Sequence, residues 1–143
     1  MHPLDFSEAV EHLTAHDSRY HRDAYYFVRD ALEHAVKLRK RQLGKAGHVT
    51  GQQIAEGARQ VAVKQYGPMA ATVLSYWGIG KTEDFGEIVW NMIDLGVWTK
   101  TEEDSRKDFE GVFSFQEAFV EPYLPTNGPK PPGRAKTTER IPR

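Results

Sequence analysis

The chain has 143 residues, 39% hydrophobic and 27% charged, with a formal net charge of −1 and no cysteine. This composition is ordinary for one globular domain, and the near-zero charge gives no global electrostatic case for nucleic acid. Without cysteine, disulfides, thiolate zinc sites and thiol catalysis are excluded. No stretch approaches the roughly 20 apolar residues of a membrane span, and no signal peptide is recognisable, so we expect a cytoplasmic protein.

Charge divides the chain into two predicted segments. Residues 125–143 hold five Lys or Arg against Glu139, so their net charge is +4 and residues 1–124 carry −5. This tail also holds five prolines and no apolar cluster, a composition typical of disorder. We predict a helical domain over 1–124 and a basic tail over 125–143 that is disordered alone. The tail residues expected to contact RNA, DNA or an acidic partner are Lys130, Arg134 and Lys136.

The first helix is predicted from about 6 to 15, because Asp5 and Glu8 have the spacing of a capping box. His12 and His16 lie four residues apart and therefore on one face of this helix. They are the only candidates for metal ligation. They are weak candidates, because a structural zinc site needs four ligands. A metal-dependent enzyme around them is the weakest functional alternative. The favoured interpretation is that they are two surface histidines without a metal.

The second helix is predicted from about 22 to 43, where apolar residues recur with helical spacing. Its end is basic, and cations suit the negative end of the helix dipole. A run of charge is usually a solvated face, but this run is the best candidate in the folded part for RNA, DNA or an acidic partner. Its residues are Lys37, Arg39, Lys40, Arg41 and Lys45.

Two further helices are predicted before the acidic part of the chain. Thr50 and Gln53 form a capping box that begins a helix ending near Gly67. After that glycine, apolar residues with helical spacing predict a short helix over 69–77, which Gly78 ends. Thr82 is then expected to cap the next helix, over 83–95.

The helices over 69–77 and 83–95 have the arrangement of a helix–turn–helix pair, in which the second helix would enter the major groove. However, the second helix carries no Lys or Arg, and its carboxylates would repel phosphate. Contact with a protein is therefore the favoured use of its acidic face. The candidate partner-binding residues are Glu83, Asp84, Glu87, Asn91 and Asp94.

Two apolar pairs at 97–98 and 112–113 flank a charged connection, a pattern that indicates a β-hairpin. Ser114 and Glu117 then form a third capping box, which predicts a last short helix. The predicted fold is mainly α, with about six helices, one small β-hairpin and a second half that is winged-helix-like.

The sequence contains no nucleophile motif and no phosphate-binding glycine loop, so neither catalysis nor a cofactor is predicted. The leading hypothesis is a non-catalytic binding or adaptor protein that contacts a protein partner through its acidic half. The alternative is a nucleic-acid-binding protein that uses the basic patch at 37–45 and the basic tail.

The stretches 66–69 (YGPM), 77–79 (WGI) and 82–92 (TEDFGEIVWNM) resemble a small family of conserved proteins from planctomycetes and verrucomicrobia. The resemblance covers about residues 5–120 and leaves out the tail. It implies a bacterial, cytoplasmic protein. The family has no assigned activity, ligand or catalytic residue, so the resemblance implies no function.

Overall fold

A computed structural model describes residues 4–45 and 47–125, which contain five α-helices. These are α1 (Phe6–His16), α2 (Arg22–Leu43), α3 (Gly51–Tyr66), α4 (Ala70–Tyr76) and α5 (Thr82–Asp94). Single turns of 3-10 helix lie at Gly67–Met69, Arg106–Phe109 and Glu121–Tyr123, and a π-helical turn lies at Gln116–Val120. Within these ranges, no helix combines the length and the apolar character that crossing a bilayer requires.

Local sequence signals explain where the first helices begin. At α1, Asp5 accepts a hydrogen bond from the Glu8 N–H at 2.8 Å, and Glu8 accepts one from the Asp5 N–H at 3.0 Å. Thr50 and Gln53 exchange the same pair of bonds at α3. Both capping boxes satisfy N–H groups that have no partner within the helix.

The described residues are mainly helical and contain no β-strand, so the predicted β-hairpin and winged-helix-like second half are wrong. The segment expected to form the hairpin instead follows the surface of α3 and α5 and contains the turn Arg106–Phe109. Its two apolar pairs have the pattern of paired strands, but they pack against the helical core individually.

Thr82 explains why this segment needs no partner strand. The side chain is 1% exposed; its hydroxyl donates to the Phe109 carbonyl at 2.6 Å and accepts from the Val112 N–H at 3.2 Å. A buried hydroxyl therefore satisfies backbone groups that a strand partner would otherwise satisfy. The prediction that Thr82 caps α5 is also wrong, because the N-cap residue is Lys81.

Phe109 fixes this segment on the helices. Its ring is 1% exposed and lies between two glycines, Gly51 of α3 and Gly86 of α5. A Cβ atom at either glycine would lie 2.9 Å from a ring carbon of Phe109, closer than real Cβ contacts. The two glycines are thus required for the close approach of the aromatic ring.

Candidate functional site

The acidic face of α5 is engaged by arginines from elsewhere in the chain. Glu87 accepts hydrogen bonds from Arg19 at 3.1 Å and from Arg106 at 3.3 Å. Arg106 also lies 3.7 Å from Asp94. The face carries no Lys or Arg of its own, and two guanidinium groups that the fold brings to it offset part of its negative charge.

Asp84 is held even more closely at the start of α5. It accepts a hydrogen bond from the Tyr20 hydroxyl at 2.6 Å and from the N–H groups of Gly80 at 2.8 Å and Lys81 at 3.2 Å. Burial and the bond to Asp84 raise the pKa of the Tyr20 hydroxyl well above its ordinary value. This carboxylate therefore connects the segment before α2 to the first turn of α5.

The remaining two residues of the acidic face also bond within the chain. Glu83 accepts a hydrogen bond from the Gly111 N–H at 3.3 Å, and Asn91 donates one to the Tyr25 hydroxyl at 3.2 Å. All five residues proposed for partner binding thus have structural contacts, and contact with a protein partner there stays a prediction.

The basic end of α2 contrasts with this face. Lys37, Lys40 and Arg41 are exposed and lie on one side of the helix, while Arg39 donates a long hydrogen bond of 3.5 Å to the Lys45 carbonyl. Within the described ranges none of the five forms an ion pair. Binding of nucleic acid or an acidic partner here stays a prediction. The tail candidates Lys130, Arg134 and Lys136 lie outside the described residues.

The two histidines of α1 are neighbours, with ring centroids 4.5 Å apart. The His16 Nδ1 atom lies 2.8 Å from the His12 carbonyl, so one ring nitrogen is already engaged by the helix backbone. Over residues 4–45 and 47–125, no group of three or more His, Asp or Glu side chains is placed to hold a metal ion.

A pocket of about 340 Å³ lies between α2, α3, α5 and the segment that follows α5. Its walls are mainly apolar, and two indole rings contribute to them. Its apolar walls include Leu32, Val36, Ile54, Ile93, Trp90 and Trp98. Phe109, held between its two glycines, also lines the pocket.

The titratable side chains that line this pocket are His48, Asp104 and Asp108. His48 Nε2 lies 2.7 Å from Asp104 Oδ2, which also accepts a hydrogen bond from the Thr101 N–H at 2.8 Å. Burial raises the pKa of the Asp104 carboxyl, but the hydrogen bonds from Thr101 and His48 outweigh burial and leave that pKa below its ordinary value. Asp104 is therefore held as a carboxylate at the rim.

The sequence alone did not indicate this pocket. His48 lies between two predicted helices, the two aspartates lie in the predicted charged connection, and His48 and Asp104 are 56 residues apart. The sequence contains one weak signal, the apolar pair Val97 and Trp98, which follows the end of α5 and indicates a further packing contact. Only the packing of four separate segments brings these side chains together.

No family model, curated protein or solved structure matches this chain. The resemblance of the chain to a family of planctomycetes and verrucomicrobia therefore remains an expectation.

Proposed function

We propose that this protein is a non-catalytic binding protein that holds a small, largely apolar molecule in the pocket between α2, α3 and α5. The observation that carries the proposal is the pocket of about 340 Å³ with apolar walls, two tryptophans and a polar rim. Small-molecule sites in proteins are typically clefts of about 300–1,000 Å³ with mostly apolar linings and a few polar groups that orient the ligand.

The size of the pocket restricts its occupant. Its volume of about 340 Å³ is roughly twice that of the engineered cavity of about 150 Å³ that binds benzene. A molecule with two fused rings and a short side chain would fill such a space. Trp90 and Trp98 offer flat surfaces against which a ring of this kind can pack.

The polar groups of the lining support binding rather than catalysis. Thr99 is exposed and provides the only side-chain hydroxyl among the described residues that line the pocket. His48 already bonds to Asp104, and neither is placed against a hydroxyl nucleophile by any hydrogen bond of the described chain. Catalysis of group transfer would require a nucleophile, a base and an oxyanion donor in mutual contact.

The proposal can be tested by titrating the protein with indole-3-ethanol, a neutral probe of suitable size. Backbone amide and indole N–H signals would be followed by NMR. We expect a dissociation constant on the order of 1 mM, as for a small ligand with few polar contacts. The shifted signals should belong to lining residues, including the indole N–H groups of Trp90 and Trp98.

The variant Ile93→Trp places a larger side chain in the wall and should weaken binding of the probe at least about tenfold, because the added ring occupies the space. Val73→Trp, at a half-buried position of α4 outside the lining, is the matched control. Equal binding by Ile93→Trp and the wild type would refute the proposal. So would a failure of the wild type to bind neutral, cationic and anionic indoles alike.

A further inference from the structure

The described side chains that line the pocket carry a net negative charge. The ionisable lining side chains are two carboxylates, Asp104 and Asp108, and one imidazole, His48. These side chains therefore carry −2 with a neutral imidazole and −1 with a protonated one. No Lys or Arg of the described residues lines the pocket, but Arg39 lies beside Gly47 at its mouth and adds one positive charge. The net charge around the mouth is therefore −1 while the imidazole is neutral.

The Asp108 carboxylate retains hydrogen-bond acceptor sites that a ligand could use. Its Oδ2 atom accepts a hydrogen bond from the Ser105 N–H at 3.1 Å, and the described chain provides no other donor to this carboxylate. A carboxylate can accept about four hydrogen bonds. Its Cβ atom packs against Gly51, which fixes the side chain at the beginning of α3. An N–H donor of a ligand in the pocket would find an acceptor already in position.

The beginning of α3 does not favour an anion instead. A helix N-terminus attracts negative groups through its free N–H groups. Here the capping box already uses the N–H groups of Thr50 and Gln53, which bond to each other's side chains at 2.8 and 3.1 Å. The Cβ atom of Asp108 also packs against Gly51 at this helix end. The helix therefore contributes less positive potential to the pocket than an uncapped one would.

One aromatic wall already interacts with a cation. The Arg106 guanidinium lies 5.6 Å from the ring centroid of Trp90, within the range of a cation–π interaction. Glu87 and Asp94 pair with this arginine and reduce its repulsion of a second cation. Tryptophan is the aromatic side chain that attracts cations most strongly.

Building on the proposed function, we infer that the pocket selects a cationic ligand, an ammonium group attached to an apolar ring system by a short linker. The ring fills the apolar walls, and the ammonium group donates to the Asp104 and Asp108 carboxylates at the rim. Hydrogen bonds between ionised partners are roughly twice as strong as neutral ones. Among ligands with the same ring, the charge therefore determines the relative affinity, and the ring determines whether the ligand fits the pocket.

The test compares three ligands that share the indole ring and differ in the charge of the side chain: tryptamine, indole-3-ethanol and indole-3-propionate. Dissociation constants are measured by NMR titration of the full chain. We expect tryptamine to bind about tenfold more tightly than the alcohol, and the propionate to bind more weakly than the alcohol. The preference for tryptamine should decrease as salt is added, because the rim is partly open to solvent.

Asp108→Asn removes one charge with little change of shape and should reduce the preference for tryptamine about threefold. In the double variant Asp104→Asn/Asp108→Asn the preference should disappear. The matched control is Glu102→Gln/Glu103→Gln, which removes two exposed charges from the same segment outside the lining and should keep the preference. The amide spectrum of each variant verifies that it is folded, and Asp108→Asn alone provides the test if the double variant is not.

The outcomes separate the two proposals. Equal binding of tryptamine and the alcohol by the wild type, or an undiminished preference in Asp108→Asn, would overturn the cationic ligand while leaving the pocket as a binding site. Binding of none of the three indoles would remove the proposed function itself.

Discussion

Two groups of carboxylates in this protein look alike in the sequence and differ in the structure. On the face of α5, Glu87 and Asp94 meet the guanidinium groups of Arg19 and Arg106. At the pocket rim, Asp104 and Asp108 meet one imidazole and backbone N–H groups, next to an open apolar cavity. An acidic stretch of sequence therefore does not identify a binding surface. What matters is whether the fold supplies the opposite charge.

The turn Arg106–Phe109 joins the two regions. Arg106 reaches the acidic face of α5, Asp108 lines the pocket, and Phe109 between α3 and α5 holds the turn in place. Because adjacent side chains of a tight turn point in different directions, this one turn contributes to both regions. Substitutions in and around this turn can therefore test whether the arginine-paired carboxylates and the carboxylates of the proposed ligand site act independently.

The largest effect is expected for Phe109→Ala, which should disrupt both regions together. The ring is 1% exposed, and truncation of a buried Phe lowers the free energy of unfolding by about 3–5 kcal/mol. Urea denaturation followed by circular dichroism measures this loss. Leu43→Ala, at a side chain that is 58% exposed, should change stability by less than about 0.5 kcal/mol. A loss below about 1 kcal/mol for Phe109→Ala would show that the turn does not depend on this ring.

A smaller effect, confined to the acidic face of α5, is expected for Tyr20→Phe. The substitution removes the hydroxyl that donates to Asp84 at 2.6 Å and leaves a half-buried carboxylate with one donor fewer. Loss of such a bond lowers the free energy of unfolding by about 1–3 kcal/mol. Binding of the indole probes should be unchanged, because neither residue lines the pocket.

The matched control for this variant is Tyr26→Phe. That hydroxyl bonds at 3.2 Å to the exposed Ser7 hydroxyl, where water can replace it, so we expect a loss of less than about 0.5 kcal/mol. Equal losses for the two tyrosines would indicate that the bond between Tyr20 and Asp84 has no special structural role. Weaker probe binding in Tyr20→Phe would instead show that the two regions are coupled.

The first half of the fold could be predicted because its signals are local. The structure begins α1 at the predicted residue, and α2 spans the predicted 22–43, since caps and helical periodicity depend only on neighbouring residues. The second half depended on distant contacts. A threonine that looked like a helix cap is a buried partner for the backbone near Phe109, and Arg19 reaches Glu87 across 68 positions. No local pattern in the sequence indicates contacts between such distant residues, and the pocket is formed by contacts of this kind.

The smallest expected effect concerns the acid sensitivity of the rim. The pKa of the Asp104 carboxyl lies below its ordinary value, because hydrogen bonds from Thr101 and His48 outweigh the effect of burial. A carboxyl with a depressed pKa in the folded state stabilises the fold above its unfolded pKa of about 3.9. This stabilisation is lost as the pH falls through the folded pKa. Asp104→Asn should therefore show a smaller loss of stability on acidification than the wild type.

Urea denaturation at a series of pH values from neutral to acidic measures the free energy of unfolding of Asp104→Asn and of the wild type. At neutral pH we expect the two free energies to differ by less than about 1 kcal/mol. Asp17 is a carboxylate paired with an arginine, and the hydrogen bond from the Arg19 side chain lowers its pKa. Asp17→Asn should therefore also reduce the dependence of stability on pH. The two variants must differ in ligand binding, however, since only Asp104 lines the pocket. If Asp17→Asn also abolished the preference for tryptamine, the distinction between paired and ligand-facing carboxylates would be wrong, because long-range charge alone would then account for both.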